Sequence, residues 1–305
     1  MKVYVQSGKD EIDTISKILE IAKPKIEGEV LIKPNLTMPF TPESCIVTSP
    51  KVVEGIILYL KEKGIRDIVI GEGAGGALDM SEIFDVTGYK KLSEKYDIPL
   101  INLNQDRQKT LEVYGGNSLK KITLAKSCLD RFVINVPKMK THRMAFVSLA
   151  MKNMMGAILP YNQKDVMHPL YGKLVKMAVD DKRALSEGEF KRVQEDFFKR
   201  LSDFHSVYNP QLSIIDGFGA REGDGLTINS GRKINTNYII LGENAFAADY
   251  VGSYLMGFNL FELYKKYFKK EIQNLENIEI DSNVLLEKLK RHFRVIPLTE
   301  EIVVY

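Results

Sequence analysis

Residues 30–76 read VLIKPNLTMPFTPESCIVTSPKVVEGIILYLKEKGIRDIVIGEGAGG, and this stretch decides the fold class. Val30-Leu31-Ile32 is a short apolar run of the kind that forms a buried strand, and it runs directly into Lys33-Pro34-Asn35. Ser49-Pro50 then opens a helix, with Ser49 placed as its cap and Pro50 at the first helical position. Val52, Val53, Ile56, Ile57 and Leu60 form an apolar stripe at helical spacing, and Gly64 suits a left-handed helix end. Asp67–Ile70 is the next strand, and it ends in the loop Gly71-Glu72-Gly73-Ala74-Gly75-Gly76. Strand, helix, strand in this order implies parallel βαβ pairing.

The same alternation extends in both directions. Strands are expected at Lys2–Val5, Ile98–Leu103, Phe132–Val136, Leu212–Ile215, Tyr238–Leu241 and Ile302–Val304. Ile12, Ile15, Ile18, Leu19 and Ala22 recur at helical spacing until Pro24. The expected fold is α/β: one unit over residues 1–305, in one body or two lobes, with a mostly parallel layered sheet flanked by helices. Two stretches depart from the alternation. Residues 162–209 are charged and poor in β-branched residues, which reads as a helical insertion or cap. Residues 258–294 read as a lysine-rich helical region packed on the outside.

Composition narrows the function classes. A net charge of +3 is too small to argue for nucleic acid, and the lysines are not interleaved with aromatics. Two cysteines, Cys45 and Cys128, cannot supply a four-thiolate cluster or a disulfide framework within one chain. The first residues lack the apolar core of a secretory signal, and no apolar run approaches a bilayer span. A cytoplasmic protein without membrane or nucleic-acid partners is expected.

Ligands of parallel α/β sheets bind at the carboxyl ends of strands, and polar residues concentrate there in this sequence. Lys33 and Asn35 follow one strand, with Thr48 just before the next helix, and Glu72 and Gly73 follow another strand. The apolar strand Phe132–Val136 runs into Pro137-Lys138-Met139-Lys140-Thr141-His142-Arg143, which carries four cation-forming side chains within six residues. Lys152 and Asn153 interrupt an otherwise apolar helical run, Leu149–Met155, where a polar pair needs a partner. Asp216, Glu222 and Asp224 place three carboxylates in nine residues after a further strand, a density that suits Mg²⁺ or a balance of charge with the lysines. His142 is a candidate general acid/base, and His168 is a second histidine within the helical insertion. Cys45 has no base beside it in sequence and reads as a free thiol.

These clusters, in this order, resemble the DUF362 family. The matching segments are Ile32–Leu36, Thr48-Ser49-Pro50 with its helix, Gly71-Glu72-Gly73, Asn135–His142, Leu149–Gly156, Asp216-Gly217, Glu222–Gly225, and Ala247-Ala248-Asp249 ahead of Met256-Gly257. The resemblance runs from about Lys33 to Gly257. Its most specific part is the Pro-Lys-x-Lys-Thr-His and Lys-Asn-x-x-Gly pair. It implies a ligand site more than a reaction. Many members carry an appended cysteine-rich ferredoxin-like domain, and this sequence shows none. The expectation is therefore no intrinsic iron–sulfur cluster, with a separate redox protein as a candidate partner.

The resulting expectation is an enzyme acting on a small carboxylated or phosphorylated anion. Lys33, Asn35, Thr48, Glu72, Gly73, Lys138, Thr141, Lys152 and Asn153 would bind it, and His142 and Lys140 would carry out proton transfer. Asp216, Glu222 and Asp224 would hold a divalent metal such as Mg²⁺ or orient the lysines. The competing expectation is a non-catalytic binding or accessory protein working with an iron–sulfur partner.

Overall fold

The computed structural model describes residues 1–75, 78–160, 166–170, 173, 185–225, 228, 231–272 and 277–295. Their centre is a ten-stranded mixed sheet. In chain order its strands are β1 (Lys2–Ser7), β2 (Val30–Pro34), β3 (Ile68–Glu72), β4 (Leu100–Asn102), β7 (Phe132–Val136), β8 (Lys138–His142), β9 (Phe146–Ser148), β10 (Leu212–Arg221), β11 (Lys233–Gly242) and β12 (Glu279–Ser282). Strands β5 (Gln108–Glu112) and β6 (Lys121–Ala125) form a separate antiparallel hairpin. The main path runs β12-β1-β11-β10-β7-β2-β3-β4, with β8 beside β10 and β9 beside β8.

The expected parallel core is present. Val30 lies opposite Ile68 where β2 meets β3, and Lys33 lies opposite Asn135 where β2 meets β7. Strands β3 and β4, and β7 and β10, are also parallel. Strand β11 is antiparallel to both its neighbours, β1 and β10.

Successive side chains of a strand point to opposite faces, and here both faces are buried. Ile32, Ile70, Ile134 and Ile214 pack on one side, with α1 (Glu11–Ala22) and α2 (Pro50–Glu62). Leu31, Val69, Val133 and Ile215 pack on the other. That second side is covered by α6 (Ala150–Asn153), α7 (Glu187–His205) and α8 (Ala245–Leu255). The remaining helices up to α5 are α3 (Met80–Val86), α4 (Tyr89–Tyr96) and α5 (Ser127–Asp130).

Several expectations need adjustment. Ser49 stands at the cap position of α2, yet its hydroxyl bonds Glu11 rather than the helix. Ile98–Leu103 shrinks to the three-residue β4. Lys138–His142, read as a polar tail after a strand, is itself the strand β8, because it finds a parallel partner in β10 and an antiparallel one in β9. Asp216 lies inside β10, not in a loop after it. Residues 258–294 are not a helical block: they break into Phe261–Tyr267, Lys269–Ile272 and Leu286–Leu289, with β12 added in parallel to β1. The described part of 162–209 is dominated by α7, which opens with a Ser186–Glu189 capping box. The expected strand Ile302–Val304 lies outside the described residues.

Candidate functional site

Strand β2 connects to β3 on one side, while the chain returns to place β7 on its other side. A crevice between strands whose connections diverge is where α/β sheets bind ligands. The carboxyl ends of β2 and β7 meet at this point, carrying Lys33 and Asn135 side by side.

Lys33 is buried, and its Nζ lies 2.8 Å from Glu72 Oε1 at the end of β3. A charge buried this deeply persists only with a counter-charge and hydrogen bonds. Glu72 is held in turn by the backbone N–H groups of Leu36, at 3.0 Å, and Gly73, at 2.8 Å. The glycine loop therefore turns the Gly73 amide onto Glu72. An amide chain extends the cluster. Asn153 Nδ2 donates to Asn135 Oδ1 at 2.8 Å, and Asn153 Oδ1 accepts from Asn35 Nδ2 at 2.9 Å. Thr48 ties the same ends together: its Oγ1 accepts from the Asn35 N–H at 2.8 Å and donates to the Val136 carbonyl at 2.7 Å.

Strand β8 carries the next pair of lysines. Lys138 Nζ lies 3.0 Å from Asp216 Oδ2 and donates to the Phe218 carbonyl at 2.8 Å. Asp216 also accepts from the Ser49 N–H at 2.8 Å and the Phe218 N–H at 3.0 Å. Lys140 donates to the Ile46 carbonyl at 2.9 Å and makes no ion pair among the described residues. Burial, reinforced by the positive charge of Lys152, pushes its pKa down to about 7. Thr141 Oγ1 donates to the Gly223 carbonyl at 2.9 Å, which joins β8 to the segment after β10.

His142 is buried, and its Nδ1 accepts from the backbone N–H groups of Met144, at 3.3 Å, and Ala145, at 3.2 Å. These donors put the ring proton on Nε2. Burial first, and then the nearby cations, hold His142 well below its ordinary pKa. Phe197 of α7 stacks with both His142 and His168, at centroid distances of 6.2 and 5.1 Å.

Lys152 and Asn153 sit on α6, a helix of four residues started from outside its own sequence. The buried Asp249 carboxylate on α8 accepts from the N–H groups of Ala150, at 2.6 Å, and Met151, at 3.0 Å. Negative charge at a helix N-terminus stabilises its first turn. Burial nevertheless raises Asp249 to about 7, against the pull of those two amides. His205 of α7 contacts the Met151 carbonyl at 2.9 Å. Held in this way, the half-buried Lys152 makes no hydrogen bond or ion pair with a described residue. Burial and the charge of Lys33 lower its pKa to about 8. Gly156 follows, close against the first ion pair: a Cβ there would lie 2.3 Å from Glu72 Oε1 and 2.8 Å from Lys33 Nζ.

The structure thus unites Lys33, Asn35, Thr48, Glu72, Gly73 and Asn153 in one network. Lys138 and Asp216 are joined to it through Ser49, the neighbour of Thr48. Glu222 and Asp224 stand apart from Asp216. Glu222 pairs with Arg232 at 2.7 Å and accepts from the Arg294 N–H at 2.9 Å, while Asp224 lies 3.6 Å from Arg143. Among the described residues, no three His, Cys, Asp or Glu side chains are grouped to hold a metal ion. Asn135, Gly156 and Asp249 belong to the network but were not among the expected site residues. A polar residue inside the apolar run Phe132–Val136 was the available signal for Asn135, as was an aspartate inside the apolar Ala245–Leu255 for Asp249.

A curated relative, the thylakoid-associated protein sll1697 of Synechocystis, is 27% identical over 223 residues. The match takes in 73% of this chain, which spans 61% of that relative's length. Among solved structures, the lactate racemase apoprotein from Thermoanaerobacterium thermosaccharolyticum aligns over 81% of this chain and 56% of its own, with 15% identity and a TM-score of 0.43. Among the described residues, no helix is long and apolar enough to cross a membrane. The family model described as a domain of unknown function, DUF362, matches residues 30–254, and the chain belongs to that family.

Proposed function

We propose that the protein is a small-molecule enzyme that binds a carboxylated or phosphorylated anion beside the β2–β7 crevice. Lys152 holds the charge of the anion, and Lys140 takes or gives a proton. One observation carries this reading, an imbalance of charge. Four lysines converge on the site. Lys33 and Lys138 have carboxylates at 2.8 and 3.0 Å, whereas Lys140 and Lys152 have no ion-pair partner among the described residues. Two cations that lack an ion pair with a described residue repel each other in a largely desolvated cluster, and an anion between them relieves that repulsion.

The proton role falls to Lys140 because a pKa of about 7 populates both of its forms at neutral pH, as general acid–base work requires. His142 is less suited. Its Nδ1 is engaged by two backbone amides, and its surroundings disfavour the charged ring. In this reading Asp216, Glu222 and Asp224 act as counter-ions, since each already faces a protein cation.

Thermal melts of the full chain with phosphate, sulfate and small carboxylates test the site. Saturable stabilisation is expected, about 2.7 kcal/mol at a hundredfold excess over Kd. Melts unchanged across the whole panel would overturn the reading. A ligand that binds tightly without turnover would favour the accessory-protein alternative.

A further inference from the structure

The amide chain around Asn153 has a fixed sense. Asn153 Nδ2 faces three carbonyl-type oxygens: Asn135 Oδ1 at 2.8 Å and the backbone oxygens of Lys33 and Pro34, each at 3.3 Å. Its Oδ1 faces two donors, Asn35 Nδ2 at 2.9 Å and Lys33 Nζ at 3.4 Å. Turning the Asn153 amide over would set donors against donors and acceptors against acceptors. The orientation of Asn35 follows. Its NH₂ must meet Asn153 Oδ1, so its own Oδ1 points away from the chain of amides. That Oδ1 is buried, on a residue only 5% exposed, and has no partner among the described residues. A buried acceptor without a donor is costly, and a native fold rarely keeps one without use.

Resting on the anion-site reading above, we propose that the ligand is hydroxylated: a hydroxy acid or a polyol phosphate whose hydroxyl donates to Asn35 Oδ1 while its anionic group meets Lys152. The lysines decide which donor it is. An ammonium group would be repelled by Lys33, Lys140 and Lys152, whereas a neutral hydroxyl is not. The carboxamide of Asn35 is then a specificity-determining group. Asn153 orients it, and Asn135 holds Asn153.

Calorimetry with matched ligands tests this on the full chain. Lactate is compared with propionate, and glycerol 3-phosphate with propyl phosphate. Within each pair, the hydroxylated member is expected to bind at least about tenfold more tightly, because a site built around a polar partner rejects the analogue that lacks it. In Asn35→Ala and Asn35→Leu that preference should vanish. Equal binding within both pairs by the parent protein overturns the proposal while leaving the anion site standing. This comparison needs no variant to fold. A preference that survives both substitutions also overturns the role of Asn35. Binding of neither member of either pair counts against the anion site itself, and the proposal falls with it.

Discussion

Replacing Lys152 by methionine separates a ligand site from a scaffold. The side chain keeps its length and loses its charge. In the free protein that charge is a liability: burial and Lys33 lower the Lys152 pKa from 10.5 to about 8. At about 1.36 kcal/mol per pKa unit, the shift corresponds to an upper bound of roughly 3 kcal/mol, and the partial exposure of Lys152 reduces it to about 1–3 kcal/mol. Lys152→Met should therefore be more stable than the parent, by a few degrees in Tm for a chain of this size. It should also lose the anion-induced stabilisation. Thermal melts with and without saturating sulfate measure both effects. A variant destabilised by about 3–5 kcal/mol would show that Lys152 belongs to a structural ion pair. A variant that binds the anion as tightly as the parent would refute the ligand role.

Two variants probe the buried Lys33–Glu72 pair. Glu72→Gln strands a buried ammonium and weakens the acceptor for Leu36 and Gly73, which should cost roughly 3–5 kcal/mol in urea unfolding. Gly156→Ala drives a methyl group to 2.3 Å from Glu72 Oε1 and should cost about 1–3 kcal/mol; unchanged midpoints would show that the pair is loosely packed. Two buried groups should also shift stability with pH in opposite directions. Asp249, raised from 3.8 to about 7, retains in the folded state a proton that the unfolded chain releases, so stability falls as pH rises through that window. Lys140, lowered from 10.5 to about 7, has lost in the folded state a proton that the unfolded chain still binds, so stability rises with pH above about 7. Asp249→Asn should flatten the acid limb and Lys140→Met the alkaline limb. A pH profile that either substitution leaves unchanged would contradict the corresponding assignment; the buried His142 and His205, both lowered, add a rise on the acid side in parent and variants alike.

Much of the site was legible because a parallel strand announces itself twice, by an apolar run and by the polar residues at its end. Val30–Ile32 followed by Lys33, and Phe132–Val136 followed by Lys138, marked two strands that the fold sets side by side. Lys138–His142 escaped as a strand because its pattern is polar. Its burial comes from β10, about eighty residues away, and no local signal reports that contact. The three carboxylates 216, 222 and 224 are close in sequence yet face different cations. A strand carries residues six apart well away from each other, so their spacing did not amount to a cluster. Asp249 acts on α6 across about a hundred residues, and only the fold brings the two together.

In the proposed site, Lys140 and Lys152 are partly deprotonated without ligand and charged with it. Calorimetric titration with sulfate, repeated in buffers of different ionisation enthalpy from about pH 6 to 9, measures the protons taken up with each bound anion. Lys140 at about 7 and Lys152 at about 8 predict little uptake at the acid end. Uptake should then climb above one proton per anion at the alkaline end, with affinity falling about tenfold or more per pH unit above 8. Sulfate binding with no proton uptake at any pH, and with an affinity indifferent to pH, would contradict the assignment of the site to Lys140 and Lys152.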